Sequence, residues 1–166
     1  MAFILSEQRD AGPEEMLAGF ESYRGYLERL RSQFPSKAYE LATSAWYYDP
    51  SDHRCPHDAW LEEVILSEIG SGERAEVRAM SIRVRLLGAY HDGYIELNYP
   101  RVFSYELGAR PQRGHRDWRF DEFRLTGDGH VLHEIEWWGP QEAGRWLIEA
   151  SDVHFTWIPN SAPSKL

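Results

Sequence analysis

Residues 80–99 read MSIRVRLLGAYHDGYIELNY, and this stretch decides the fold. On each side of Asp92-Gly93, apolar residues occupy every second position, which is typical of β-strands with one buried face. Ile82 and Leu97 lie within the two alternating runs, where we expect both side chains to be buried. The stretch therefore predicts two antiparallel strands that pack one face against a hydrophobic core.

The Asp-Gly pair in this stretch also predicts the register of the hairpin. Aspartate followed by glycine supplies the two positive φ values of a two-residue type I′ turn. Such a turn places Tyr90 opposite Ile95 and Leu86 opposite Tyr99, so that apolar side chains meet on one face. Turn chemistry and alternation thus predict the same buried face.

A second hairpin is predicted where residues 120–125 and 131–138 flank the glycine-rich segment 126–130. Alternation places Phe123 and Ile135 on a shared buried face. The opposite face is rich in carboxylates, which glycoside hydrolysis would require in pairs. We expect a solvated face instead, because acidic proteins commonly pair such groups with nearby arginines. The carboxylates of this face belong to Glu122, Glu134 and Glu136.

A helix of residues 13–33 is predicted before the first strand. Pro13 suits the first turn of a helix, and Pro35 cannot continue one. Between them, apolar residues recur at steps of three and four, as one buried face of a helix requires. These residues are Met16, Leu17, Phe20, Tyr23, Leu27 and Leu30.

Four further segments are predicted as strands from short apolar runs. Residues 145–150 and 153–158 alternate clearly, whereas residues 38–48 and 60–69 carry weaker patterns. The 60–69 stretch also fits a helical stripe. Its short Val-Ile-Leu core and the Gly-Ser-Gly turn that follows favour a strand.

The order of these elements predicts an α+β fold. One N-terminal amphipathic helix packs on a curved antiparallel sheet or open barrel of about seven strands. The length of 166 residues suits one domain. We assign residues 1–160 to that domain and expect residues 161–166 to form a frayed C-terminal tail.

Composition excludes several classes of protein. The 18 basic and 27 acidic residues give a formal net charge of −9, which repels phosphate backbones, so we expect no nucleic-acid partner. No apolar run approaches the roughly 18 residues that would span a bilayer, so we expect no membrane partner. The single cysteine, Cys55, cannot form an internal disulfide, which favours a cytoplasmic location.

The segment 49–58 concentrates side chains that bind transition metals. In an extended segment, residues two apart point the same way, so His53, Cys55 and His57 can converge on one ion. Zinc is the ion that this set predicts, with a neighbouring aspartate orienting one imidazole. The alternative, which we favour, is a turn-rich loop without a cofactor, in which the aspartates accept backbone hydrogen bonds.

His133 is the candidate catalytic histidine, because alternation places it on the apolar face between Val131 and Ile135. If Asp121 lies beside it on the neighbouring strand, the two side chains form an acid/base pair. The alternative is a core histidine whose ring nitrogens are satisfied by that carboxylate or by a backbone carbonyl.

Aromatic and basic residues supply candidates for ligand or partner binding. The chain has 7 Trp residues, more than a core of this size needs, and Trp gives a large contact area at low entropy cost. An arginine-rich stretch at 110–119 can close over a carboxylate or phosphate. The alternatives are that the indoles fill the core and that the arginines keep a connection soluble. The candidates are Trp46, Trp60, Trp137, Trp138, Arg113 and Arg116.

These features predict a non-enzymatic, cytoplasmic protein-interaction or ligand-binding module. In general texture the chain resembles small acidic bacterial β-rich proteins, including immunity proteins of toxin systems. That resemblance implies a toxin-neutralising or regulatory protein, for which a protein partner is favoured over a small molecule and a homodimer is allowed. The alternative is a small metal-dependent or acid/base enzyme that uses the His53/Cys55/His57 loop or His133 with Asp121. Nucleophile-elbow, phosphate-loop and zinc-protease motifs are absent from the sequence.

Overall fold

A computed structural model describes residues 1–108, 114–138 and 144–160. Within these residues, helices from the N-terminal part of the chain pack on one seven-stranded antiparallel sheet. The sheet curls into a ring-like shape because the strand at one end of its order also pairs with the strand next to the other end. The predicted α+β class is therefore confirmed. The predicted frayed tail, residues 161–166, lies outside the described residues.

The described elements follow one another along the chain, and the segment 44–59 separates the second α-helix from the first strand. A 3₁₀-helix occupies Glu7–Ala11 and is followed by two α-helices, α1 (Pro13–Leu30) and α2 (Ser36–Thr43). The strands are β1 (Trp60–Ser71), β2 (Val77–Leu87), β3 (Gly93–Leu107), β4 (Asp117–Leu125), β5 (Val131–Trp138), β6 (Gly144–Ala150) and β7 (His154–Pro159). Neither α1 nor α2 combines the length and apolar character needed to cross a membrane.

The helix α1 begins at Pro13, as predicted, and ends at Leu30, slightly before the predicted bound. The backbone N–H groups of Gln33 and Phe34 both donate to the Leu30 carbonyl and close a turn there. Pro35 disfavours helical geometry at the residue before it, so the helix does not continue beyond this turn. Tyr23 and Leu27 are the residues of α1 that the core buries most completely.

The helix α2 contradicts the prediction of a strand at residues 38–48. Its first turn is capped by Asp152, whose carboxylate accepts hydrogen bonds from the N–H groups of Lys37 (3.2 Å) and Ala38 (2.8 Å). Such acceptors satisfy N–H groups that a helix leaves unpaired at its start. Because the cap comes from the far end of the chain, the local sequence does not reveal it.

The strand interpretation of residues 60–69 is confirmed by β1. It pairs antiparallel with β2, from Trp60 opposite Leu87 to Ser71 opposite Val77. The closing strands β6 and β7 also agree with their predicted bounds to within one residue.

The faces predicted for β2 and β3 are confirmed. Ile82 and Leu97 are fully buried, together with Val84, Leu86 and Ile95. The alternation of apolar residues therefore identified the side of the hairpin that packs against the core.

The register predicted for this hairpin is wrong. Leu86 pairs with Ile95, where Tyr90 was expected, so the register is displaced by four residues. An even displacement leaves each side chain within β2 and β3 on its predicted face. The chain reverses through the longer loop 88–92, where His91 has the positive φ of 58°. Tyr90 lies in this loop and is exposed.

Gly93 serves close packing rather than the turn. It is the first residue of β3 and pairs with Pro159 of β7. A Cβ atom at this position would lie 2.3 Å from the Trp157 ring. The glycine at position 93 is therefore explained by the close approach of the Trp157 ring to the backbone, and not by a type I′ turn.

The ring of strands is incomplete between β1 and β4. The sheet order is β2-β1-β4-β5-β6-β3-β7, and β2 also pairs with β3. Strands β1 and β4 share a single ladder pair, Trp60 with Asp117. Beyond this pair, the backbone N–H and C=O groups on the side of β4 that faces away from β5 have no strand partner among the described residues.

Two tyrosines of α1 take the place of the missing neighbour of β4. The Tyr23 hydroxyl donates to the Phe123 carbonyl (3.0 Å) and accepts from the Phe123 N–H (2.7 Å). The Tyr26 hydroxyl accepts from the Leu125 N–H at 2.8 Å. The helix thereby covers the gap in the ring, and its buried side packs on the core.

The second hairpin is formed by β4 and β5 as predicted, and its register places Phe123 opposite His133 and Leu125 opposite Val131. Its carboxylate-rich face is not solvated, however, and that prediction is wrong. Residues 1–11, which we call the N-terminal segment, lie across this face. Glu122 is fully buried there and accepts hydrogen bonds from backbone N–H groups of the segment.

Arginines neutralise the buried carboxylates of this face. Glu122 pairs with Arg124 at 2.6 Å. The other two carboxylates, those of Glu134 and Glu136, pair with Arg124, Arg145, Arg9 and Arg119. This layer fixes the N-terminal segment to the sheet and so sets the position from which α1 starts.

Candidate functional site

A cavity of about 260 Å³ lies between α1, the loop that precedes β1, and the first half of β4. Most of its surface is apolar. We call it the α1 cavity. Its aromatic lining consists of Phe20, Tyr47, Tyr48, Trp118 and Phe120, its polar lining includes Cys55, His57, Arg119 and Asp121, and Met16 contributes from α1.

Helical spacing places two residues of α1 on the cavity. Met16 and Phe20 are four positions apart and therefore lie on one face of the helix. Phe20 packs edge-on against Tyr48 with ring centroids 5.6 Å apart. The helix thus forms one wall, and Met16 remains partly exposed at its edge.

An irregularity in β4 aims two further side chains inward. The pairing of β4 with β5 shifts register between Trp118 and Phe120, which is the effect of a β-bulge. Trp118 and Asp121 are consequently both buried although three positions separate them. Strict alternation would have placed these side chains on opposite faces of the sheet.

Asp121 is the centre of a buried hydrogen-bond network. One carboxylate oxygen accepts from the Trp118 indole N–H at 2.9 Å. The other lies 2.8 Å from the Tyr47 hydroxyl and 2.8 Å from Nε2 of His133. Nδ1 of His133 in turn lies 2.7 Å from the Tyr99 hydroxyl. The contact between Asp121 and His133 that the sequence suggested is therefore present.

One arrangement of protons satisfies every member of this network. A neutral imidazole with its proton on Nε2 donates to Asp121 and accepts at Nδ1 from the Tyr99 hydroxyl. With a proton on both nitrogens, Tyr99 would have to accept, and its own proton would find no acceptor among the described residues. Hydrogen-bond accounting thus favours a neutral His133 beside an ionised Asp121.

The charge of Asp121 acts on the hydroxyls around it. Burial raises the pKa of Tyr47 and of Tyr99, and the negative charge of Asp121 raises both further. Burial also raises the pKa of the Cys55 thiol to about 12, with a smaller contribution from Asp121. These groups therefore stay protonated at neutral pH.

Cys55 is accordingly expected to resist alkylation in the folded protein. The thiolate is the reactive form, and a pKa of about 12 leaves very little of it at pH 8. We expect iodoacetamide to modify native Cys55 at least about 100-fold more slowly than the same chain unfolded in urea. Mass spectrometry of timed samples measures both rates. Equal rates would show that the thiol is neither buried nor raised in pKa.

The three predicted zinc ligands face different surroundings. His53 stacks on Tyr90 at 4.0 Å and hydrogen-bonds Asp92. The Cys55 thiol donates to the Tyr47 carbonyl at 3.0 Å. His57 packs edge-on against Phe120, and these three side chains are not among the described groups whose ligand atoms gather within 4.8 Å. The zinc site stays a prediction, and the three side chains do not converge on one point in this structure.

A different set of metal-ligating side chains is brought together by the β4–β5 turn. The ligand atoms of Asp128, His130 and Glu149 lie within 4.8 Å of one another. The His130 ring lies flat on Phe103 and contacts the Glu149 carboxylate at 2.8 Å. That hydrogen bond is the main reason that the pKa of Glu149 is lowered. The sequence did not indicate this cluster because Glu149 comes from β6.

The residues predicted to bind a ligand or partner lie at different places in the fold and differ in burial. Trp137 is buried, whereas Trp138 is exposed beneath the Arg119 guanidinium. Trp46 is half-buried against Phe155. A second, shallower depression of about 450 Å³ brings together Trp60 and Arg116. The remaining candidate, Arg113, lies outside the described residues.

Comparisons with known proteins found no relative of this chain. Neither the family models, nor the curated proteins, nor the solved structures contain a match to this chain. The function is therefore argued from the geometry of the α1 cavity and of the network beneath it.

Proposed function

We propose that this protein is a non-enzymatic ligand-binding module whose ligand is a small molecule held in the α1 cavity. The observation that carries the proposal is the cavity itself, which combines apolar, aromatic walls with a small number of converging polar groups. Small-molecule sites commonly have this composition. A volume of about 260 Å³ suits a compact ligand.

The hydroxyl of Tyr48 supports this proposal. It is buried and has no hydrogen-bond partner among the described residues. The hydroxyl of neighbouring Tyr23 donates its proton to the Phe123 carbonyl and so does not donate to Tyr48. Leaving a buried hydroxyl unpaired is unfavourable by about 1–3 kcal/mol. A ligand with a suitable polar atom would supply the partner.

The same network favours binding over acid/base catalysis. His133 is fully buried, and both of its ring nitrogens are engaged, by Asp121 and by Tyr99. A general acid or base must come within hydrogen-bond reach of the reacting proton. The imidazole does not face the α1 cavity, so it holds Asp121 in place and does not meet a substrate.

The protein-interaction version of this function rests on a separate feature. The outer half of the β1–β2 hairpin exposes the apolar side chains of Leu66, Ile69 and Val77. Exposed apolar groups of this size are found at partner surfaces. A toxin-neutralising or regulatory role with a protein partner remains a prediction beside the small-molecule proposal.

A bulky side chain at the edge of the cavity is expected to block binding. We would titrate the wild-type protein with a library of small aromatic fragments and follow tryptophan fluorescence, since Trp118 lines the cavity. Met16→Trp is expected to weaken the binding of any hit at least about tenfold by occupying the cavity. At 100 times the Kd, a hit should stabilise the wild-type protein by about 2.7 kcal/mol.

Leu17→Trp is the matched control. Leu17 neighbours Met16 on α1 but is not part of the cavity lining, and its side chain is exposed. This variant should bind every hit as the wild-type protein does. The proposal fails if no fragment binds saturably, or if Met16→Trp binds the hits with unchanged affinity.

A further inference from the structure

We infer that the α1 cavity selects a small organic cation: an ammonium group carried on an aromatic or alkyl body. This inference rests on the proposed function and names the ligand class of the same site. It is carried by three features of the cavity: a buried carboxylate without a lysine or arginine partner, a free acceptor position on that carboxylate, and a lining of aromatic rings.

Apart from the imidazole of His133, the carboxylate of Asp121 has no basic partner among the described residues. Among the residues that the structure describes, no Lys or Arg lies within ion-pair distance of it, and its contacts are Trp118, Tyr47 and His133. The buried Glu122, by contrast, is paired with Arg124. A buried charge is costly unless a counter-charge and hydrogen bonds accompany it. Asp121 has the hydrogen bonds, and a cationic ligand would bring the missing charge.

Asp121 also retains capacity to accept a hydrogen bond. An ionised carboxylate offers about four lone-pair positions, and three are occupied, one by Trp118 and two on the other oxygen. Asp121 is part of the cavity lining. An ammonium N–H in the cavity would therefore find a charge-assisted acceptor at its inner end.

The walls of the cavity suit a cation as well as an apolar body. Phe20, Tyr48 and Trp118 contribute rings to the lining. Aromatic faces carry partial negative charge and attract ammonium groups, most strongly where water is excluded. An anion would meet the negative charge of Asp121, which also lines the cavity.

The arginine on the cavity, Arg119, has carboxylates beside it. The guanidinium of Arg119 lies 3.8 Å from Asp10 and 3.9 Å from Glu136, and it stacks over Trp138 at 4.2 Å. His57 lies beside the carboxylate of Asp58 at 3.2 Å. Asp121 is thus the carboxylate on the cavity, and it has no lysine or arginine partner among the described residues.

The first test compares matched ligands on the wild-type protein. Benzylammonium, 2-phenylethylammonium and 2-phenylethyl-trimethylammonium are titrated by calorimetry at pH 7 beside their neutral isosteres, benzyl alcohol, 2-phenylethanol and 3,3-dimethylbutylbenzene. The anion 3-phenylpropanoate completes the series. We expect at least one cation to bind about 10- to 100-fold more tightly than its isostere, as a charge-assisted hydrogen bond and cation–π contacts imply.

The outcomes separate this inference from the proposed function. Saturable binding of neutral or anionic ligands without a preference for cations overturns the inference and leaves the ligand-binding function standing. Failure of every member of the series, together with the fragment library, to bind overturns both. A preference for the cation supports both.

A charge-removing variant provides the second test. Asp121→Asn keeps the shape of the side chain and one of its two acceptor oxygens, but it removes the charge. We expect it to lose the cation preference about 10-fold or more while binding of the neutral isostere persists. Glu63→Gln, an exposed substitution on β1 with the same change in charge, should keep the wild-type preference. Should Asp121→Asn fail to fold, the wild-type series decides alone.

Discussion

Glu122→Ala is expected to lower the free energy of unfolding by about 3–5 kcal/mol, the effect of removing one partner from a buried ion pair. The Glu122 carboxylate is fully buried and accepts hydrogen bonds from the N–H groups of Phe3 and Leu5. It also pairs with Arg124. Alanine would leave two backbone donors and one guanidinium without this acceptor. For a chain of this size, such a loss lowers the Tm by about 10 °C.

Glu63→Ala is the matched control, because Glu63 also pairs with an arginine, Arg83 at 3.3 Å, but on the exposed surface. Exposed ion pairs contribute about 0–1 kcal/mol, so this variant should unfold close to the wild-type protein. Urea unfolding monitored by circular dichroism measures both. Equal, small losses in the two variants would show that the carboxylate layer does not hold the N-terminal segment to the sheet.

Asp121→Ala is expected to be the most damaging single substitution in the core. It removes the acceptor for the Trp118 N–H, the Tyr47 hydroxyl and Nε2 of His133 at once. Each buried donor left unpaired costs about 1–3 kcal/mol, so the total is on the order of 5 kcal/mol. Asp121→Asn should cost much less, because the amide still offers an acceptor and a donor.

Asp117→Ala is the comparison for this substitution. Asp117 also accepts an indole N–H, that of Trp60 at 2.7 Å, but at an exposed site where water can replace the lost partner. We expect a loss below about 1 kcal/mol there. If Asp121→Ala unfolds at the same urea concentration as Asp117→Ala, the network around His133 is not a stabilising element.

The two substitutions also distinguish what each layer of the fold does for the α1 cavity. Glu122 acts through the N-terminal segment, which leads directly into α1 and so into the wall formed by Met16 and Phe20. Asp121 acts from the opposite side, where it lines the cavity and is held by Tyr47. The cavity is therefore framed by two independent sets of buried polar contacts.

Local patterns were sufficient for much of the fold. Alternation identified the buried faces of β2, β3 and β5, and it placed His133 on the inner face. Helical spacing and two prolines predicted α1. These features depend on the side-chain period of a single element, which neighbouring residues alone determine.

The cavity could be predicted only in part. The sequence indicated Asp121 and His133 as neighbours, because they lie on adjacent strands of one hairpin. It gave no sign that Tyr47 and Tyr99 complete their network, since these residues come from a loop and a strand far away in the chain. The bulge that turns Trp118 inward also has no marker in the sequence.

By itself, the sequence determined the fold class, the first helix and the inner face of the sheet. Only the tertiary structure decided that α2 is a helix capped by Asp152, that the hairpin register is displaced, and that Glu122 is buried. The periodicity of apolar residues indicates which side of an element is buried in the core. It does not indicate which distant segment covers the other side. The contact between Phe3 and Glu122 spans 119 positions in the chain, and contacts of that range arise only when the whole chain is packed.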